Sequence, residues 1–209
     1  IEKKITQAMD SYPHSKEILS ALKPVIMARS RIIGSLKLND IDYQTIDRER
    51  LKGGIPVIKQ TGLLTADVPA RDIALAVIPD LKQGLPALAE ELSSIEKQIS
   101  DSNIDLHDYL RAYPEKAAEV VDEWASRFSV RSSTINILCA TVTRIILEKR
   151  AAAIMDNLKE IEWHKGYCPI CAAFPSLSMI QEKGGQRWLH CSQCGYEWKF
   201  SRVICPYCD

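Results

Sequence analysis

Three Cys-x-x-Cys pairs crowd the C-terminal end of the chain, and they constrain its fold more than any other feature. The pairs are Cys168/Cys171, Cys191/Cys194 and Cys205/Cys208, while the seventh cysteine, Cys139, stands alone upstream. Such pairs, in a chain without a signal-peptide pattern at its start, favour metal binding over disulfides. We therefore expect the six paired cysteines to be metal ligands.

The spacing of the first two pairs is typical of a zinc ribbon. Nineteen residues separate Cys171 from Cys191, enough for a hairpin that brings both turns around one ion. Four thiolates leave no open coordination position, so a structural role is favoured over water activation. Zinc is the default ion, and iron in a rubredoxin-like site competes because tetrahedral sulfur geometry suits both.

The third pair, Cys205 and Cys208, has no fourth pair in this sequence. We expect it to be half of a second sulfur site, with a second ribbon truncated. A free dithiol and a contact with another molecule are the alternatives. A thioredoxin-type role would need the pair at a strand-to-helix junction of an α/β domain, and this segment lacks that pattern.

Upstream of the cysteine pairs, residues 1 to about 160 predict a series of helices. Ser15 can cap a helix to about Leu36, with Ile18 and Leu22 in its apolar stripe and Pro24 as a kink or restart. A loop-rich segment is predicted over 37–66, and Asp67 is predicted to cap the next helix, which ends at a break over Gly84–Pro86. The following helix has the apolar stripe Leu88, Leu92, Ile95 and Ile99. Pro114 is predicted to open another helix, and a long helix is predicted over about 132–159.

Near Gly166 the pattern changes to that of strands. Two strands, 176–182 and 186–191, are predicted around Gly184-Gly185, and alternating aromatic residues predict a third over 196–200. So small a sheet needs a metal staple. The expected fold class is therefore mainly α: an N-terminal helical domain over 1–162, followed by a small rubredoxin-like or zinc-ribbon β module over 163–209.

Charge and hydropathy narrow the classes of partner. The 209 residues carry 27 basic and 27 acidic side chains, which gives no long-range attraction for nucleic acid. No apolar run is long enough to cross a bilayer, so we expect a cytoplasmic protein. Because the sequence opens with Ile1 and stops at Asp209, just after a Cys-x-x-Cys pair, we expect it to be incomplete at both ends.

The remaining candidate residues have structural explanations. Cys139 lies beside the apolar face of the long helix and is expected to be buried. His190 precedes Cys191 and is expected to be a hydrogen-bonded strand residue rather than a ligand. No nucleotide-binding loop, catalytic triad or pair of acids is found, so we expect no catalytic and no cofactor-binding residues, and no enzyme activity.

The cysteine segments resemble those of the formate dehydrogenase accessory proteins of the FdhE type. The matching segments are Cys168–Cys171 (CPIC), Pro175, Ser178, Arg187–Cys194 (RWLHCSQC), Glu197-Trp198, Arg202 and Cys205–Cys208 (CPYC). In that family a helical domain precedes rubredoxin-like metal modules, and a further Cys-x-x-Cys follows the third. Ala172 departs from the glycine expected after such a pair, whereas Gly195 conforms.

The resemblance implies a cytoplasmic maturation factor that binds the catalytic subunit of a respiratory formate dehydrogenase and supports its assembly. It also implies that the protein does not itself oxidise formate. Two alternatives stay open: a zinc-ribbon nucleic-acid-binding protein and a rubredoxin-like redox protein. Charge disfavours the nucleic-acid-binding alternative. From Lys165 onward the sequence has five basic and three acidic residues, and this small positive excess is too weak for a strong phosphate-binding surface.

Overall fold

The computed structural model describes residues 1–39, 41–65, 67–158, 161–182 and 184–208, and for Tyr43 the backbone only. Contacts divide the chain into two compact units. The first unit contains Ile1–Leu36 and Val68–Thr143, and the second unit contains Lys37–Asp67 and Arg144–Asp209. The domain boundary predicted between residues 162 and 163 stays a prediction.

The described residues are mainly helical, with one small antiparallel sheet near the C-terminus, as the sequence predicts. The helices are α1 (Glu2–Ser11), α2 (Lys16–Ser35), α3 (Arg48–Lys52), α4 (Ala70–Gly84), α5 (Ala89–Ser100), α6 (Leu106–Ala112), α7 (Ala117–Phe128) and α8 (Ser132–Ile154). The strands are β1 (Pro175–Ile180), β2 (Arg187–Cys191) and β3 (Glu197–Phe200). No helix within the described ranges has the length and apolarity needed to cross a membrane.

Helix α2 differs from its prediction in three ways. It begins after Ser15 as expected, but the Ser15 side chain makes no capping hydrogen bond, and the helix runs through Pro24.

Ile18 and Leu22, expected in the core, are 64% and 39% exposed. The reason is that α2 packs on α4 through small residues: a Cβ on Gly84 would lie 2.4 Å from the Ala21 carbonyl oxygen. The buried residues of α2 are therefore Ala28 and Ile32.

The predicted cap at Asp67 is wrong. Pro69 occupies the N-cap position of α4, and the Asp67 carboxylate instead accepts a hydrogen bond from the Asn39 amide at 2.8 Å. The break after α4 is confirmed, because α4 ends at Gly84 and Pro86 opens a short 3₁₀ turn that leads into α5. Similarly, α7 begins at Ala117 rather than at Pro114.

In the second unit, the sheet has the order β1-β2-β3. Leu177 pairs with His190, and Leu189 pairs with Trp198. The predicted Gly184-Gly185 turn is present, with both residues at positive φ. Leu189, Trp198 and Phe200 are buried on one face, whereas β1 is exposed beyond Pro175. Residues 167–200, which contain the sheet and the first two cysteine pairs, are called the ribbon below.

Candidate metal centre

The first cysteine turn is a tight loop built on Cys168. The Cys168 N–H donates to the Ala173 carbonyl at 2.9 Å, and the Ala172 N–H donates to the Cys168 carbonyl at 3.0 Å. The Ile170 N–H lies 3.4 Å from the Cys168 sulfur and points a donor at it. To close this loop, Ala172 adopts a positive φ of 65°, a conformation that disfavours residues with a Cβ.

The second cysteine turn repeats this geometry at the end of β2. The Cys191 N–H donates to the Tyr196 carbonyl at 2.9 Å, and the Gln193 and Cys194 N–H groups approach the Cys191 sulfur at 3.3 and 3.5 Å. Here Gly195 takes the positive φ, 72°, that Ala172 takes in the first turn. The two turns are thus equivalent, except that the first carries an alanine at the strained position.

The two turns bring four sulfurs together. The Sγ atoms of Cys168, Cys171, Cys191 and Cys194 are buried and lie within 4.8 Å of one another. Cys168 and Cys194 are 3.5 Å apart and Cys171 and Cys191 are 3.4 Å apart, far longer than the roughly 2.05 Å of a disulfide. A tetrahedral zinc–thiolate site with bonds of about 2.3 Å has sulfur–sulfur edges of about 3.8 Å. The four residues therefore fit a single tetrahedral ion.

The electrostatic interactions among the four clustered thiols also favour a bound cation. Burial raises the pKa of the Cys168 thiol, whereas hydrogen bonds from the other three thiols lower the pKa of Cys191. The cluster therefore favours a thiolate at Cys191 and a neutral thiol at Cys168, because two thiolates packed this closely would repel each other. A bound cation would remove that repulsion and let all four sulfurs act as thiolates.

Residues 54–58 contact the first turn, and sequence reasoning missed them. The Val57 and Ile58 N–H groups donate to the Pro169 and Ile170 carbonyls, each at 2.8 Å. We call residues 54–58 the clamp. It is also tied to the residue before Cys168, because the Tyr167 hydroxyl donates to the Gly54 carbonyl at 2.7 Å. The clamp thus satisfies the two peptide carbonyls that lie between the two cysteines of the first turn.

Comparisons with known proteins point to the same family as the cysteine segments. The family model "FdhE, central domain" matches residues 167–202, which enclose all four clustered cysteines. Curated relatives include Protein FdhE of Escherichia coli O1:K1 / APEC and of E. coli strain SMS-3-5, each 27% identical over 179 residues, covering 81% of this chain and 52% of the relative. The FdhE-type resemblance is confirmed.

A crystal structure of the FdhE protein from Pseudomonas aeruginosa shares the fold. Its TM-score is 0.60 at 17% identity, over 99% of this chain and 67% of that one. The chain spans about half the length of the curated FdhE relatives it matches. The segment matched by the FdhE central-domain model ends before Cys205, so the third cysteine pair lies outside it.

The structure places the other cysteines and His190 apart from the four-sulfur centre. Cys205 and Cys208 are exposed and are not among the clustered thiols. Cys139 is buried as expected, and burial raises its pKa to about 12, so it is a neutral thiol at physiological pH. His190 hydrogen-bonds with the Glu197 carboxylate at 3.1 Å, as expected for a strand residue.

Proposed function

We propose that this chain belongs to a cytoplasmic accessory protein that binds the catalytic subunit of a respiratory formate dehydrogenase and supports its assembly. The observation that carries the proposal is the FdhE central-domain match over residues 167–202, which contains a complete four-cysteine centre. In this proposal the protein has no catalytic residues and does not oxidise formate. Its proposed function is to bind another protein.

The four buried cysteines of the ribbon bind one zinc or iron ion in this proposal, and Cys205 and Cys208 contribute half of a second site. The ion supplies structural stabilisation, because the ribbon is too small to fold on its apolar contacts alone. Binding free energies for structural zinc reach about 10–16 kcal/mol near neutral pH. With the ion in place, the ribbon becomes a rigid surface for recognition.

The exposed apolar side chains support protein recognition by this surface. Of the twelve large apolar side chains found exposed in the described residues, seven lie between residues 174 and 207. They are Phe174, Leu177, Met179, Ile180, Val203, Ile204 and Tyr207. Four of these seven lie on β1 or the residue just before it, so the exposed edge of the sheet is the most apolar part of the ribbon surface. Exposed apolar patches of this kind mark protein interaction sites.

Capture from an anaerobic cell extract tests this proposal. The immobilised chain should recover a formate dehydrogenase catalytic subunit, and the double substitution Leu177→Asp/Met179→Asp should reduce recovery. Ile18→Asp is a matched control, because Ile18 is 64% exposed and Leu177 is 61% exposed, but Ile18 lies in the first unit. Equal recovery by all three proteins would contradict a role for the β1 surface.

Formate turnover tests the absence of catalysis. The purified chain should oxidise no formate with an artificial electron acceptor. Activity that stays proportional to chain concentration through purification would contradict the proposal.

The nucleic-acid alternative has one observation in its favour. The Lys199 ammonium lies 5.7 Å from the centre of the Trp188 ring on β2, and this pair could stack on a base and contact a phosphate. Recovery of nucleic acid without the catalytic subunit in the same capture experiment would favour this alternative. Trp188→Ala should then abolish the recovery, whereas Trp124→Phe in the first unit should not.

The redox alternative depends on which metal is bound. Metal analysis of anaerobically purified protein should give one ion per chain, and an iron–thiolate site would add a visible absorption band. A coloured protein whose metal ion cycles reversibly between two oxidation states would favour the rubredoxin-like redox hypothesis over a purely structural ion.

A further inference from the structure

The third cysteine turn is docked on the ribbon although its two thiols are exposed. The residues between the cysteines make the contacts: Pro206 is buried, and the Tyr207 hydroxyl donates to the Pro175 carbonyl at 2.6 Å. The Tyr207 ring also stacks on Phe174, with centroids 5.0 Å apart and an angle of 14°. The turn is therefore held by its centre, while Cys205 and Cys208 face solvent.

The chain that leads into the ribbon lies close to this turn at Gly166. A Cβ at Gly166 would lie 1.9 Å from the Pro206 carbonyl oxygen, a distance that no side chain can tolerate. Gly166 lies two residues before Cys168. Any residue other than glycine at this position would push the third turn away from the ribbon.

Arg187 fixes the segment that connects β3 to the third turn. Its guanidinium donates to the carbonyls of Ser201 at 3.2 Å and Ile204 at 2.8 Å. Its Nε donates to the Ser178 hydroxyl at 2.7 Å, which ties the same side chain to β1. Because Ile204 directly precedes Cys205, Arg187 determines where the third turn begins.

These docking residues flank the cysteines of the four-sulfur centre. Gly166 precedes Cys168, while Phe174 and Pro175 follow Cys171 and begin β1. Pro175 pairs with Cys191 in the sheet. An ion that fixes the first two turns would therefore also fix the surface on which the third turn lies.

We propose that the four-sulfur centre and the Cys205/Cys208 pair are coupled. Ion binding at the centre holds the pair in the geometry that it needs to bind a metal ion itself. This inference rests on the proposed metal binding by the ribbon. Gly166, Tyr207 and Arg187 are positioning residues: they hold the pair in a fixed geometry without being ligands. Metal loading is then ordered, with the buried centre filled first and the exposed pair second.

Phenylarsine oxide is a suitable probe, because it condenses with two neighbouring thiols and releases one water. In the zinc-loaded chain the ion protects the four buried cysteines, so the arsenical reports on Cys205 and Cys208. Tyr207→Phe should weaken arsenical binding about two- to tenfold, the effect of losing one hydrogen bond. Gly166→Ala should weaken it more, while Tyr12→Phe, an exposed tyrosine of the first unit, should not change it.

A second comparison tests the coupling itself. A variant with Cys168, Cys171, Cys191 and Cys194 all changed to serine keeps the third pair but loses the centre. Its arsenical affinity should fall at least as far as that of Tyr207→Phe, and adding Tyr207→Phe to it should have no further effect. Unchanged affinity in the quadruple variant, or an undiminished Tyr207→Phe effect in that background, would overturn the coupling.

Zinc content separates this outcome from failure of the proposed metal binding. A zinc-loaded parent with one ion per chain, combined with unchanged arsenical affinities, would reject the coupling alone. A parent without any bound ion would reject metal binding itself. Tyr207→Phe and Gly166→Ala should both keep the ion of the centre, which excludes simple unfolding of the ribbon as the cause of a weaker pair.

Discussion

The first unit and the ribbon bury very different amounts of apolar surface. In the first unit, α4 and α5 place Ile78, Leu92, Ile95 and Ile99 in the core at 1% exposure or less. In the ribbon, β1 is exposed beyond its first residue, and the sheet buries one face of β2 and β3 only. Helices that pack on one another can be stable through apolar contacts, whereas a three-stranded sheet of this size needs another source of stability. In the proposed function an ion held by the four buried cysteines supplies it, together with the hydrogen bonds of the clamp.

The largest expected effect is the loss of the ribbon on removal of one ligand. Cys191→Ser should release the ion and unfold residues 167–200, because binding and folding are the same process in such a module. The helical circular dichroism of the first unit should persist. Limited proteolysis with metal analysis would measure both effects, and Cys139→Ala serves as a thiol control outside the ribbon. Parental metal content and protease resistance in Cys191→Ser would show that the centre is not what stabilises the ribbon.

The converse substitution is expected to affect the first unit alone. Leu92→Ala removes a fully buried side chain from α5 and should lower the free energy of unfolding by about 2–5 kcal/mol. The ribbon should keep its ion, since no metal ligand is disturbed. Chemical denaturation followed by circular dichroism, with metal content measured in parallel, would test this. Loss of the ion together with the helices would mean that the two units unfold as one.

The sequence could predict the features that depend on neighbours along the chain. The spacing of Leu92, Ile95 and Ile99 predicts the buried face of α5, and two glycines in a row predict the tight turn between β1 and β2. The spacing of the first two cysteine pairs likewise predicts the four-sulfur centre, because both turns are local and one hairpin brings them together.

The features that depend on distant partners could not be predicted. The clamp donates backbone N–H groups to a turn more than a hundred residues away, and backbone donors leave no trace in side-chain patterns. Asp67 looks like a helix cap because its sequence position is right, but Asn39 provides a competing partner. The exposure of Ile18 and Leu22 follows from the small residues that let α2 approach α4, a property of the pair and not of α2 alone.

An alkaline titration tests the buried thiol and the buried phenol of the first unit. Burial raises the pKa of Cys139 to about 12, and burial raises the pKa of Tyr109 to about 12 as well. Unfolded thiols and phenols ionise near pH 9–10, so the folded first unit binds more protons and loses stability as pH rises from about 9 to 12. Melting temperature against pH should decline less steeply for Cys139→Ala and Tyr109→Phe than for the parent. Parallel curves for all three proteins would contradict this origin of the decline.

The smallest expected effect concerns the residue at the positive-φ position of each cysteine turn. Ala172 has a φ of 65° and Gly195 a φ of 72°, so both follow a cysteine in the left-handed region. A residue with a Cβ pays about 1–2 kcal/mol there, whereas glycine does not. Ala172→Gly should therefore stabilise the ribbon by about 1 kcal/mol after the greater flexibility of glycine in the unfolded chain is subtracted. The reciprocal Gly195→Ala should destabilise it by a similar amount.

Competition with a chelator of known zinc affinity would detect both shifts, since stability of the ribbon and retention of its ion are linked. If Ala172→Gly loses its ion more readily than the parent, the side chain of Ala172 makes a contribution that outweighs its backbone strain, and the two turns are not equivalent.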